Sequence, residues 1–190
     1  MTYYFSSLIN YIKFFIITII FLFSLQLKAD QNDPILDKLF FDLKKNDNLN
    51  NHKLILNKIW KIWLEPNDTE IEKDFGLGLA LMNKMRYKQS IFFFSRVIQK
   101  NPNFAEAWNK RATSYYVIGD YDNSINDINK TLILEPRHFG AMEGLGLIFI
   151  NLQEYDQAIK IYKEMLKILP HDDRIKNTII FLNDTISEKI

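Results

Sequence analysis

Apolar residues recur along this chain at the three- and four-residue intervals that place them on one face of a helix. Ile35, Leu36, Leu39, Phe40 and Leu43 form one such stripe, and Leu54 through Leu64, with Trp60 and Trp63, form a second. Near the other end, Ile175, Ile179, Leu182 and Ile186 fall at i, i+4, i+7 and i+11. A longer period is superimposed on the helical one. Pro102, Pro136 and Pro170 stand 34 residues apart, as do Tyr87, Tyr121 and Tyr155, and Ile91, Ile125 and Ile159. Small residues keep the same spacing in two columns, Gly78, Ala112 and Gly146, then Ser90, Ser124 and Ala158. Five columns in one phase identify an internal repeat, and the pattern predicts about nine helices and no strands.

The period and its columns resemble the tetratricopeptide repeat, whose first helix carries Trp, Leu, Gly and Tyr and whose second carries Ala and Phe before a closing Pro. Residues 139–172 supply Met142, Leu145, Gly146, Phe149, Ala158, Tyr162 and Pro170. Residues 105–138 supply Trp108, Arg111, Ala112, Tyr115, Ser124, Ile128 and Pro136. Residues 71–104 begin less faithfully, with Asp74 in the Trp column, then Leu77, Gly78, Leu81, Ser90, Phe94 and Pro102. The stretches NFAEAWNKRAT at 103–113 and LEPRHFGAMEGLGLI at 134–148, with the paired tryptophans, look like a group of secreted tetratricopeptide-repeat proteins of alphaproteobacteria. That likeness implies a compartment and a fold, and carries no activity.

The implied fold is all-α: a right-handed α-solenoid of helix hairpins closed by a C-terminal capping helix. Its expected divisions are a signal peptide at 1–29, a degenerate N-terminal hairpin at 30–70 and three repeats at 71–104, 105–138 and 139–172, with the cap at 173–190. Small residues let the two helices of a hairpin approach, and proline separates one unit from the next. Gly119-Asp120 suits the turn inside the second repeat, where a glycine takes a positive φ cheaply. Arg111 replaces the consensus Leu and is expected to pair with Asp127 on the second helix. The run Phe92-Phe93-Phe94 cannot face one way, and its outer members are expected beneath the degenerate first hairpin.

The first 29 residues differ from the rest. They hold no acidic residue, two basic ones, Lys13 and Lys28, and an apolar run from Phe14 to Leu25 broken only by Thr18 and Ser24. Twelve residues fit the core of a secretory signal and fall short of the roughly 20 that span a bilayer. Ala29 offers a small residue at a cut, so cleavage is expected there, leaving a periplasmic or secreted protein with 22 basic and 23 acidic residues. The alternative is an anchor reaching back to Ile9, which would tie the protein to the inner membrane.

Balanced charge gives no basic face for nucleic acid. The absence of cysteine excludes disulfides, thiolate catalysis and thiolate-held metals. His138 and His171 fall in linkers and His52 at a helix start, which reads as solvated histidine, not a metal or catalytic site. No phosphate loop or nucleophile elbow is present. Asp172-Asp173 reads as a helix start. No catalytic residue, cofactor or metal is therefore expected, and the partner is a protein or peptide. Proteins of this family hold peptides on the concave face lined by the first helices. The groove-facing positions are Phe75, Leu79, Met82 and Asn83, then Asn109, Lys110, Thr113 and Tyr116, then Glu143, Leu147, Ile150 and Asn151. A basic clamp for a peptide C-terminus is only partly represented, because Glu143 and Gly144 stand where the next unit would need cations.

Overall fold

A computed structural model describes residues 31–45, 48–66 and 68–188. They form nine helices: α1 (Ile35–Lys45), α2 (Leu49–Leu64), α3 (Thr69–Asn83), α4 (Tyr87–Lys100), α5 (Ala105–Val117), α6 (Tyr121–Leu134), α7 (Phe139–Asn151), α8 (Tyr155–Ile168) and α9 (Asp173–Ser187). There is no strand among the described residues. The signal segment and its cleavage point lie outside them.

Helices α3–α4, α5–α6 and α7–α8 are antiparallel hairpins stacked side by side, and α9 covers the last one. Each hairpin turns at one residue with positive φ: Met85 (57°), Gly119 (81°) and Gln153 (60°), spaced by 34. Only the second of these is the residue type that adopts this backbone without cost. The glycine column receives an aromatic ring from the facing helix. A Cβ on Gly78 would lie 2.5 Å from the Phe94 ring, and one on Gly146 would lie 2.8 Å from that of Tyr162. Ser124 meets the same column by donating its hydroxyl to the Ala112 carbonyl at 2.8 Å.

Arg111 and Asp127 form the expected pair. The guanidinium donates through Nε and Nη2 to the two carboxylate oxygens at 2.7 and 2.8 Å. Burial alone would weaken the Arg111 charge, but the carboxylate beside it raises its affinity for the proton. In the first repeat, Asp74 in the Trp column is buried and held by Arg96 and Lys100.

The α1–α2 hairpin sits elsewhere than a first repeat would. A preceding layer would have to stack on α3 through the columns that hold Phe104, Ala107 and Trp108 on α5. In α3 those columns hold Glu70, Lys73 and Asp74. Glu70 and Lys73 are exposed, and α2 lends only Leu64 to the core of this repeat. Desolvating two charges to add a layer there would be costly. The hairpin instead crosses the linkers between later repeats, sharing a core with Phe139, α8 and α9 through Leu36, Phe40, Leu43, Ile59 and Trp63. Gln31 accepts from Ala105 N, Arg137 donates to Asp37 at 2.6 Å, and His171 Nε2 lies 3.2 Å from the Lys44 carbonyl oxygen. Phe92 is consequently left 58% exposed against solvent, while Phe94 is buried.

Candidate peptide-binding cleft

The first helices of the repeats form one wall of the array, and a cleft of about 260 Å³ opens between α5 and α7. Asn109, Thr113, Tyr116, Glu143 and Leu147 line it, bringing together five of the positions read from the sequence. Asn151 closes one end by donating to the Tyr116 hydroxyl at 2.9 Å. The cleft exists because α7 carries Gly140 and Gly144 one turn apart on the facing side, with Ala112 and Ile128 behind. Those floor residues and Val117 were missed by counting groove positions, since the glycines contribute absence of side chain. The pair of glycines four apart was the available signal. At the end nearest the helix N-termini the Trp60 ring abuts Gly140, where a Cβ would lie 2.6 Å from it.

The remaining groove positions are occupied differently. Phe75 is buried between Phe94 and Phe104, so it belongs to the core of the first repeat and faces no ligand. Leu79 and Met82 pack half-buried on the same core, and Asn83 is exposed at the end of α3. Ile150 is half-buried against the core shared by α8 and α9. Lys110 turns away from solvent, with Nζ 2.9 Å from Glu106 Oε1 and 5.2 Å from the Trp60 ring centroid. The contact with Oε1 is electrostatic, being poorly aligned for a hydrogen bond.

Below the cleft lies a buried polar cluster that corrects the reading of His138 as a solvated linker residue. His138 is fully buried, its ring stacked on Trp63 at 4.1 Å. Nδ1 accepts from the Ala141 N–H at 3.1 Å, capping α7, and Nε2 lies 2.8 Å from Glu106 Oε2. With Nδ1 accepting, Nε2 carries the hydrogen and donates to the carboxylate. Asn109 Nδ2 donates to the same oxygen at 3.1 Å. Burial by itself pushes the Glu106 carboxyl up. The Lys110 charge and the His138 hydrogen bond outweigh it and hold the group below the usual carboxylate range. His52 is buried too, edge-on to the partly covered His171. Asp172 caps α9 through Arg174 N, as the sequence suggests. No group of acidic or histidine side chains suited to a metal occurs among the described residues.

Glu143 is the only charged residue lining the cleft among the described residues, and its side chain is 46% exposed. Arg174 approaches it no nearer than 4.0 Å and is itself bound to Asp172. The Glu143 charge adds to burial in pushing the Tyr162 hydroxyl up to about 12.

The tetratricopeptide repeat family profile matches residues 109–173. A TPR repeat-containing protein of Rhizobium etli is 30% identical over 152 residues, which span 80% of this chain and 74% of that protein. The chain is a tetratricopeptide-repeat protein. Hsp70-Hsp90 organizing protein 3 of Arabidopsis thaliana is 29% identical over 112 residues, 59% of this chain but only 19% of that protein. Among solved structures, the TPR2B domain of yeast Sti1, determined as a complex with pHsp70, superimposes with a TM-score of 0.57 at 15% identity. That match covers 62% of this chain and 99% of the domain. The likeness establishes that the tetratricopeptide-repeat scaffold extends over the hairpins bordering the cleft.

Proposed function

We propose that this tetratricopeptide-repeat protein is an exported adaptor that holds a segment of a partner protein in the cleft between α5 and α7, acting by binding and not by catalysis. The observation that carries this reading is the cleft itself, set in the first-helix wall with an apolar floor and a hydrogen-bonding rim. Its volume lies below the roughly 300–1,000 Å³ of small-molecule sites, so it suits one large side chain better than a cofactor. The complex of yeast Sti1 with pHsp70 is a precedent for a peptide-holding role on this scaffold. Export is supported by the acid-free, apolar N-terminal segment; retention from Ile9 onward would make the same adaptor membrane-tethered.

A photoreactive residue placed at Thr113 in living cells should capture a partner, whereas one at Asn126 on the exposed face of α6 should not. Equal capture at both positions would remove the cleft from the proposal. Mass spectrometry of the protein from the periplasmic fraction should find Asp30 at the N-terminus, and a retained Met1 would exclude cleavage.

A further inference from the structure

We infer that the cleft selects an internal segment presenting a large apolar side chain beside a Lys or Arg, and does not read a peptide C-terminal carboxylate. The inference rests on the cleft being the binding site. Its charge balance decides the class of partner. Lys110 is the one cation on the cleft's wall, and it is already spent on Glu106 and Trp60, with its side chain 20% exposed. Drawing it out to meet a carboxylate would leave Glu106, which is 1% exposed, a buried anion without its main counter-charge. A carboxylate entering the cleft would meet the Glu143 charge instead. A partner cation there finds a half-exposed carboxylate whose existing cation stands 4.0 Å away. The floor made by Ala112, Gly144 and Ile128 has room for an apolar side chain, which supplies most of the affinity. Trp60 against Gly140 obstructs one end, so the partner contributes a short local segment.

Gly144 supplies the test, because a Cβ there makes only an ordinary contact, 3.5 Å from Ile128. Gly144→Leu should fill the cleft while strengthening α7 as a helix. The probes are short fluorescent peptides in a neutral background, amide-capped, pairing Leu with Arg at spacings up to one helical turn. Matched peptides replace Leu by Ser or Arg by Glu, and a further set ends in an acidic residue with a free carboxylate. Anisotropy with the purified protein should show the Leu–Arg set binding best. Loss of Leu should weaken binding about 10- to 100-fold, and replacing Arg by Glu should weaken it several-fold. Gly144→Leu, its helical content checked by circular dichroism, should bring the Leu–Arg peptides down to the Ser level. Glu143→Arg should reverse the preference for Arg over Glu without touching the fold. Tightest binding of the free-carboxylate peptides, or no binding of any set, overturns the inference. Where carboxylate peptides win and Gly144→Leu abolishes them, the cleft stands as the site and only the partner chemistry falls. Binding that Gly144→Leu leaves intact overturns both.

Discussion

Replacing His138 by alanine removes three interactions at once. The cap on α7 disappears with Nδ1, which costs about 1 kcal/mol. Glu106 loses the donor 2.8 Å away and keeps Asn109 and the Lys110 charge, so its buried carboxylate is left partly unsatisfied at a cost of about 1–2 kcal/mol. The stacked ring beneath Trp63 goes as well, worth about 1 kcal/mol beyond the area it covers. The sum is about 3–4 kcal/mol, a large fraction of the stability of a domain this size. Because the stack joins the α1–α2 hairpin to the linker before α7, the loss should appear first in tryptophan fluorescence. Helix content should follow, since contacts between neighbouring repeats hold most of the array.

Urea unfolding at neutral pH, read by fluorescence and by far-ultraviolet circular dichroism, measures both. A double-mutant cycle with Glu106→Gln isolates the carboxylate term, with an expected coupling of about 1–2 kcal/mol. His138→Asn, which can restore the cap alone, should recover about 1 kcal/mol. A cost below about 1 kcal/mol for His138→Ala, with no coupling to Glu106, would mean that the imidazole is solvated and that the hairpin docks by other means.

The same cluster has an acid dependence of fixed sign. The Glu106 pKa is lowered on folding, so its stabilisation is complete above the unfolded value of 4.5 and is lost as pH falls through the folded one. Wild type should therefore exceed Glu106→Gln in stability at neutral pH and lose that lead below pH 4.5; a constant gap would refute the shift. Arg111→Ala strands Asp127, which is 3% exposed, and should cost about 3–5 kcal/mol in thermal or urea unfolding. Replacing both partners by Met and Leu should recover most of that loss. Met85→Gly and Gln153→Gly should each raise stability by up to about 1 kcal/mol, while Gly119→Ala should lower it by a similar amount. Gly146→Val drives methyls into the Tyr162 ring and should cost about 1–3 kcal/mol or more by the same assay.

Features that repeat were legible in the sequence because their causes lie within one hairpin. The proline, tyrosine and glycine columns each report a contact made within a unit or with its neighbour, so 34-residue spacing locates α3 to α8 and the Arg111–Asp127 pair. His138 was misread because it was compared with His171, 33 residues on. The true column, at 34, places it with Phe104 and Asp172, the three residues preceding α5, α7 and α9. Phe104 is buried, and an apolar residue in that column was the sign that His138 sits where solvent is excluded. His171 lies one position away and is only partly covered.

The placement of α1–α2 depends on a match between distant surfaces and has no periodic signature. Its elements were nevertheless present as a conflict: Trp60 and Trp63 need a large apolar counterpart, and α3 offers Glu70, Lys73 and Asp74. The linker ahead of α7 offers His138, Phe139 and Gly140, an aromatic pair followed by a residue with no side chain to obstruct a ring. Docking there satisfies the tryptophans and draws Lys110 onto Glu106 and Trp60. The groove thereby loses the cation that a carboxylate-reading member of this family would need. Glu143 and the gap above Gly144 are what remain to define a partner. The hairpin thus sets the specificity of a cleft lined by other helices: a change at Trp60 should alter which peptides bind, by freeing Lys110, before it alters whether the repeats fold.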